Sequence, residues 1–390
     1  MREPPRTSPR PGDRSPTPRS GRRPRRPRRS GSRPVGGVRD APRMRPVVGR
    51  LHAQGLDAPR FDSAGQVVRH LGCVQSQLHD MALWAIARRT DGLTHADLQH
   101  AFARGDFLRT HVLRPTWHFV DAADIHGWLA LTAPRISRLM APIDQGLGLT
   151  DARLDRCTEV IVASLADGAT RTRADLGADL AAAGLEHSGL ALAHVLMHAE
   201  IDAVVANGPL DGKQHTYRLL GPGPVPPPRD DLLALAARRY ARGHGPFRDK
   251  DLAWWTSLTL TDSRRAIELA DLSPVDVDGT PHWRLEPPVD AEVPHVMLLP
   301  NFDEYVSYAR EPDDYAAFAG AAQDVMRGTG LLMVDGLLAG TWTRKQSARA
   351  VDVVVRASGP VRSTTRRAVE AETALFGRFL GREARVTVVS

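Results

Sequence analysis

The sequence predicts an α+β protein: three tandem winged helix-turn-helix units, then a C-terminal β-rich domain, with a disordered basic N-terminus in front. Three observations carry that expectation. A capped helix start recurs three times, hairpin-like alternation follows the first two copies, and the apolar period shifts towards two beyond residue 284.

The recurring starts are LTHADLQHAF at 93–102, TRTRADLGADL at 170–180 and FRDKDLAWW at 247–255. Thr94 and Thr172 each stand three residues before an acid, the spacing at which a hydroxyl caps the helix and the carboxylate meets its positive end. Asp97, Asp175 and Asp251 lie 78 and 76 residues apart, which marks successive modules and not a solenoid. After the first copy, FLRTHVLRPTWHFV (107–120) reads as two short strands around Arg114-Pro115. After the second, a Gly184 break leads into the helix SGLALAHVLMHAEID. AVVANGPLDGKQHTYRLL then supplies two strands, with turn signals at Asn207-Gly208 and Asp211-Gly212. The third copy is less complete, its Trp254-Trp255 helix lying between two other helical runs. GPGPVPPPRDD (221–231) is a Pro/Gly linker, poor in donors and unsuited to a core. The remaining pattern is VPHVMLLPNFDEYV, a hairpin at Asp335-Gly336 in GLLMVDGLLAGTW, VDVVVRAS, the helix TTRRAVEAETALFGRFL and ARVTVVS. The expected segments are a tail over 1–45, modules over 46–150, 151–220 and 232–283, and the β-rich domain over 284–390.

Bulk properties narrow the class. A chain of 390 residues is too long for one core. No stretch approaches 18 consecutive apolar residues, so no transmembrane helix is expected. Cys73 and Cys157 make neither a disulfide framework nor a zinc cluster, which fits a reducing, cytoplasmic setting. Residues 1–50 carry 16 Arg against Glu3, Asp13 and Asp40, a local charge of +13, so the overall +7 leaves the other 340 residues at −6. The Arg/Pro/Ser/Gly tail has almost nothing to bury and is expected to be disordered. It would either add non-specific affinity for phosphates or lie upstream of a true start at Met44; the second is the expectation.

Winged helices usually meet DNA, with a recognition helix in the major groove and wing residues on the backbone. The first wing offers Arg109, His111, Arg114, Thr116 and His118; the second module offers Arg171, Arg173, Lys213, His215 and Arg218. Alternation places Arg109 with His111, and Lys213 with His215, on one side of each strand. Any one of these is explained as an ordinary exposed hairpin charge, but their clustering in an acidic body favours a DNA surface.

LGCVQSQLHD (71–80) sets two glutamines one residue apart beside an apolar segment. On a continuous helix Gln75 and Gln77 would diverge by about 200°. On extended chain, or in a helix's first turn, both amides face one space and can hold one water without bringing charge. Such water is poorly activated and suits only a reaction whose leaving group is already activated. A purine alkylated at N7 or N3 is such a case. The plainer alternative is two amides bonding nearby backbone. Asp303 and Glu304 in NFDEY, read as strand neighbours, point to opposite faces and cannot form a dyad; one is expected to pair with a buried arginine. His194 and His198 have metal-ligand spacing, but no glutamate or third ligand follows, so no metal is expected. No Walker or dinucleotide fingerprint appears, and His79-Asp80 lacks a convincing nucleophile for a triad, so no cofactor is expected.

VQSQ ahead of a helix, the LRPTWHFV hairpin, LLPNFDEYV and GLLAGTW, in that order, resemble the AlkZ-type family of winged-helix DNA glycosylases over nearly all of residues 44–390. The resemblance implies three winged helices and a C-terminal β domain around a DNA-sized cleft. It implies catalytic, water-placing roles for Gln75 and Gln77, and DNA engagement through Arg114, Thr116 and His118. Ser76 departs from the family's usually apolar central residue. The expected activity is monofunctional excision of cationic alkylpurines, including bulky adducts or cross-links, from double-stranded DNA. No lysine near the pair offers a Schiff base, and the protein is expected to act as a nucleoid-associated monomer. Only Trp84 and Trp117 lie near the pair, which favours limited base flipping. A non-catalytic winged-helix regulator is the alternative, and a protein-binding scaffold a weaker one.

Overall fold

The computed structural model describes residues 46–287, 289, 291–309 and 328–389. The expected disordered tail over 1–45 lies outside these residues. The first module comprises α1 (Pro46–Gln54), α2 (Ala64–Leu71), β1 (Cys73–Gln75), α3 (His79–Ala87), α4 (His95–Arg104), β2 (Leu108–His111) and β3 (Trp117–Val120). The long helix α5 (Ile125–Gly146) leads to the second: α6 (Asp151–Leu165), β4 (Arg171–Thr172), α7 (Arg173–Ala182), α8 (Gly189–Ile201), β5 (Val205–Asn207) and β6 (Thr216–Leu219). The third is α9 (Arg229–His244), α10 (Asp249–Thr256), α11 (Leu260–Leu269) and the hairpin β7 (Ser273–Val277) with β8 (Thr280–Arg284).

One order runs through all three: helix, short strand, two helices, hairpin. In the third, the short strand is reduced to a single bridge from Phe247 to Trp283. Both expected capping boxes form, with the Thr94 hydroxyl accepting from Asp97 N and the Thr172 hydroxyl accepting from Asp175 N. The linker forms neither helix nor strand over 221–228, and Arg229, Asp230 and Asp231 already belong to α9, whose positive end the two acids offset.

The wings of the first two modules merge. Their strands form one six-stranded sheet in the order β1-β3-β2-β5-β6-β4, joined across modules by the single pair Arg109 and Asn207. The C-terminal part forms a second sheet, β13-β12-β11-β10-β9, from β9 (Val296–Leu299), β10 (Gly330–Val334), β11 (Leu337–Gln346), β12 (Ala350–Ala357) and β13 (Glu383–Val389). β13 runs parallel to β12, and the helix α12 (Ser363–Leu380) makes the crossover.

The cores cross the segment boundaries expected from sequence. Val68, Trp84 and Phe119 share one core with Leu298, Trp342, Val353 and Phe376. Leu113, Trp128 and Leu129 share another with Leu233, Tyr240 and Trp255. Among the described residues, the core around Cys157, Ile161, Leu176 and Leu196 lies within residues 149–217. The outer edge of β9 is covered: Leu298 N donates to Glu372 (3.1 Å) and Leu298 O accepts from the Trp84 indole (2.7 Å).

Asp303 and Glu304 lie at a short 3₁₀ turn (Glu304–Val306), not on a strand. Asp303 meets the expected arginine. Arg89 Nη1 and Nη2 donate to its two oxygens at 3.0 and 2.7 Å, and the other Arg89 bonds go to Gln54 and Ala85; both members of the pair are fully buried. Removing one partner strands a buried charge, so Asp303→Asn is expected to lower unfolding free energy by about 3–5 kcal/mol. Urea denaturation checks this; a loss below about 1 kcal/mol would contradict it.

Candidate active site

The site begins with the way β1 is started. Gly72 ends α2 at φ +86, and a Cβ there would meet the Trp255 and Trp128 rings at 3.3 and 3.4 Å. Only glycine fits this turn without strain. β1 then pairs with β3 in the register Cys73–Val120, Val74–Phe119, Gln75–His118, and Ser76 N extends the ladder by donating to Trp117 O at 2.8 Å. The stretch is therefore extended, not helical. Gln75 is half-buried, Ser76 buried and Gln77, at the bend after the strand, exposed, so neither glutamine is sealed beneath packed side chains.

Behind Gln75 stands a polar cluster drawn from distant parts of the chain. Directly opposite residues on paired strands share a face, so Gln75, His118 and Thr110 form one row. The Glu304 carboxylate accepts from Gln75 N (2.8 Å), the Trp255 indole (2.9 Å) and His244 Nε2 (3.1 Å). Burial would raise the Glu304 pKa, but the His244 hydrogen bond and nearby cationic groups, Arg114 among them, outweigh it and bring it down to about 2. The acid stays ionised. Arg114 Nη2 donates to Gln75 Oε1 (3.0 Å) and to His118 Nε2 (3.2 Å), while Nη1 donates to Trp255 O (2.9 Å). His118 Nδ1 lies 3.0 Å from Thr116 O, so the proton sits on Nδ1 and Nε2 accepts. This neutral form agrees with burial and Arg114 pushing the imidazole pKa down to about 3. Gln77 Oε1 accepts more weakly, from Trp117 N at 3.4 Å.

The other face of the wing holds a second buried carboxylate. Glu200 accepts from His111 N (3.0 Å) and from His111 Nδ1, from the Trp117 indole (3.3 Å) and from Asn207 Nδ2 (3.0 Å). Arg109 bonds Ser76 O (3.1 Å) and Asn207 Oδ1, and lies 4.5 Å from the centre of the Trp117 ring. The glutamine strand is thus held from both sides.

These contacts change the expected character of the wings. Arg109 and His111 do share a face, but both are buried and not exposed, because the second wing closes the first wing's edge; His118, on the opposite face, is buried beside Arg114 and near Glu304. Arg114 is half-buried and occupied by protein partners. Thr116 is half-buried, and its hydroxyl has no hydrogen-bond partner among the described residues. In the second module, Lys213 and Arg173 are exposed; Arg171 is half-buried and pairs with Asp167 (2.9 Å). Arg218 packs on Gly105, and His215 turns its ring towards His79. Trp84 is buried in the core, and Trp117 is covered by Arg109 and His111.

His194 and His198 both turn to Asp144, at 2.6 and 3.0 Å. Asp80 pairs with His95 (3.1 Å) and not with its neighbour His79. Burial and Glu304 hold the Cys73 thiol well above its usual pKa, so it is no nucleophile at neutral pH. Sequence reasoning missed Glu200, His244 and the structural part of Trp255. The one visible signal was a carboxylate inside the apolar run LALAHVLMHAEI.

The fold is shared with a solved repair enzyme, the DNA glycosylase AlkZ of Streptomyces sahachiroi. The match has a TM-score of 0.73 at 23% identity and covers 88% of this chain and 98% of that one. The family profile described as DNA glycosylase AlkZ-like matches residues 68–379, and the chain belongs to that family of DNA-binding repair glycosylases. A curated relative from the same organism, named an interstrand DNA cross-link repair glycosylase, is 25% identical over 318 residues, covering 75% of this chain and 85% of that protein. No described helix is long and apolar enough to cross a membrane.

A carboxylate with a depressed folded pKa contributes stability above its unfolded value, and that stability disappears as pH falls through the folded value. Glu304 therefore stabilises the fold above about pH 4.5 and loses this contribution towards about pH 2. The expected outcome is an acid limb in urea midpoints over that window, flatter in Glu304→Gln. Parallel limbs in the two proteins would contradict it.

Proposed function

We propose that this chain is a monofunctional glycosylase that hydrolyses the N-glycosidic bond of cationic alkylated purines in double-stranded DNA, with Gln75 and Gln77 placing the water. The observation that carries this is that neither glutamine is fully buried and each amide is held through its oxygen by a donor-only group. Each oxygen keeps a second lone pair that can accept a water hydrogen, leaving a water lone pair free to approach C1′. The water oxygen bonds C1′, the C1′–N bond breaks, its electrons neutralise the purine cation, and a proton passes to solvent. Because the base leaves as a neutral molecule, neither a strong general base nor a cofactor is required.

The relative's name extends the proposed substrates to bulky adducts and interstrand cross-links. Two features support tolerance of such lesions. Trp84 is buried in the core, and Trp117 is covered by Arg109 and His111, so neither of these two rings is free to stack on an extruded base. The repeated helix–strand–helix–helix–hairpin order reads as three winged helices; Lys213, Arg173, Arg171 and Arg218, with Thr116 at the tip of the first hairpin, are the proposed DNA contacts. Action on nucleoid DNA as a monomer completes the proposal.

Release of 7-methylguanine from a defined duplex tests it. Gln75→Ala and Gln77→Ala are each expected to slow single-turnover release by about 10²-fold, as loss of one preorganised polar group does elsewhere. Release at the wild-type rate by both variants would remove the site; no release by any form, wild type included, would leave a DNA-binding protein without this activity.

A further inference from the structure

Arg114 has a place in this site that differs from a phosphate contact. We infer that Arg114 is a positioning residue: it fixes Gln75 with its amide oxygen inward and its NH₂ group outward. The inference rests on the proposed water-placing role of Gln75.

The local chain aims Arg114 inward. Leu113, fully buried, adopts φ +65, a strained conformation for a branched side chain, and its N–H is held by the Thr132 hydroxyl at 3.2 Å. Pro115 restricts Arg114 to extended backbone. The hairpin tip therefore turns into the protein. There the guanidinium meets Trp255 O, Gln75 Oε1 and His118 Nε2, with the Trp254 ring 4.6 Å away. These partners come from two modules, and Glu304 supplies the compensating charge.

An arginine has donors only. Facing one, Gln75 must present its oxygen, so the amide cannot rotate by 180° without opposing two donors. Lysine cannot reproduce this, because a single ammonium does not span Trp255 O and Gln75 Oε1 in one plane as the guanidinium fork does. A guanidinium already bonded to three protein atoms is also poorly placed to follow a DNA phosphate.

The test measures single-turnover release of 7-methylguanine with enzyme in excess, together with duplex affinity as a function of salt. The proteins are wild type, Arg114→Lys, Arg114→Ala, Gln75→Ala and the Gln75→Ala/Arg114→Lys double variant. Arg114→Lys is expected to slow release about 10²-fold, as a misplacement near 1 Å does. Its affinity should stay within about threefold and its salt slope should be unchanged. In the Gln75→Ala background the same change should cost little more, since the group it positions is gone. A salt slope lowered by about one with wild-type release would make Arg114 a phosphate contact and overturn the inference. Full additivity in the double variant would overturn it too. Wild-type release by Gln75→Ala would instead overturn the site itself, so the two failures are distinct. Should Arg114→Ala not fold, the lysine and double variants still decide.

Discussion

A single buried carboxylate organises the centre of this protein. Glu304, carried on a turn of the C-terminal part, receives the backbone N–H of Gln75, the imidazole of His244 and the indole of Trp255. Those three groups belong to the first and third modules. A buried charge is costly unless its lone pairs are met, and here each partner comes from an element that packs for its own apolar reasons. The consequence is that the glutamine strand cannot shift without unbinding an ion from its donors. The site is rigid because its support is electrostatic and apolar at once.

The two carboxylates divide the work. Glu304 holds the strand from the side of the third module, and Glu200 holds the opposite face of the same wing where the second module joins. Arg114 and Arg109 sit between them and the glutamines, one touching the Gln75 amide and the other the Ser76 carbonyl. The charged groups are thus buried or half-buried and engaged by protein partners.

Much of the fold was legible because its signals are local. The Thr94 and Thr172 capping boxes, the Asp335-Gly336 turn and the alternation of 107–120 each depend on a few neighbouring residues, whereas Asn207-Gly208, expected as a turn, continues the β5–β6 ladder and the chain turns at Gly212-Lys213. A third winged unit was expected over 232–283, but the two strands of its hairpin were not picked out although Asp278-Gly279 adopts positive φ at both positions, because Pro274 and Pro281 inside them argue against pairing. Shared cores could not be read at all, since Trp84 with Phe376 and Trp128 with Trp255 are contacts between distant segments. The glutamines were legible as an extended pair, and the Asp303 partner was expected as an arginine. Arg109, His111 and His118 looked like surface charges because nothing in a hairpin's own sequence says that a second wing will close over one face and the Arg114–Glu304 cluster over the other. Glu304 looked inert for the same reason: its partners lie up to 229 residues away.

The central claim is that Gln75 and Gln77 face the reacting sugar on rigid, protein-held backbone. The most direct measurement is a crystal structure of the full chain on a duplex carrying a cationic 1-azadeoxyribose, which imitates the oxocarbenium-like sugar. The account predicts both amides within about 3.2 Å of one ordered water on the C1′ side, with the Gln75–Glu304 and Gln75–Arg114 bonds unchanged. A sugar bound away from the pair, or an amide pair that reaches it only after those bonds break, would contradict it.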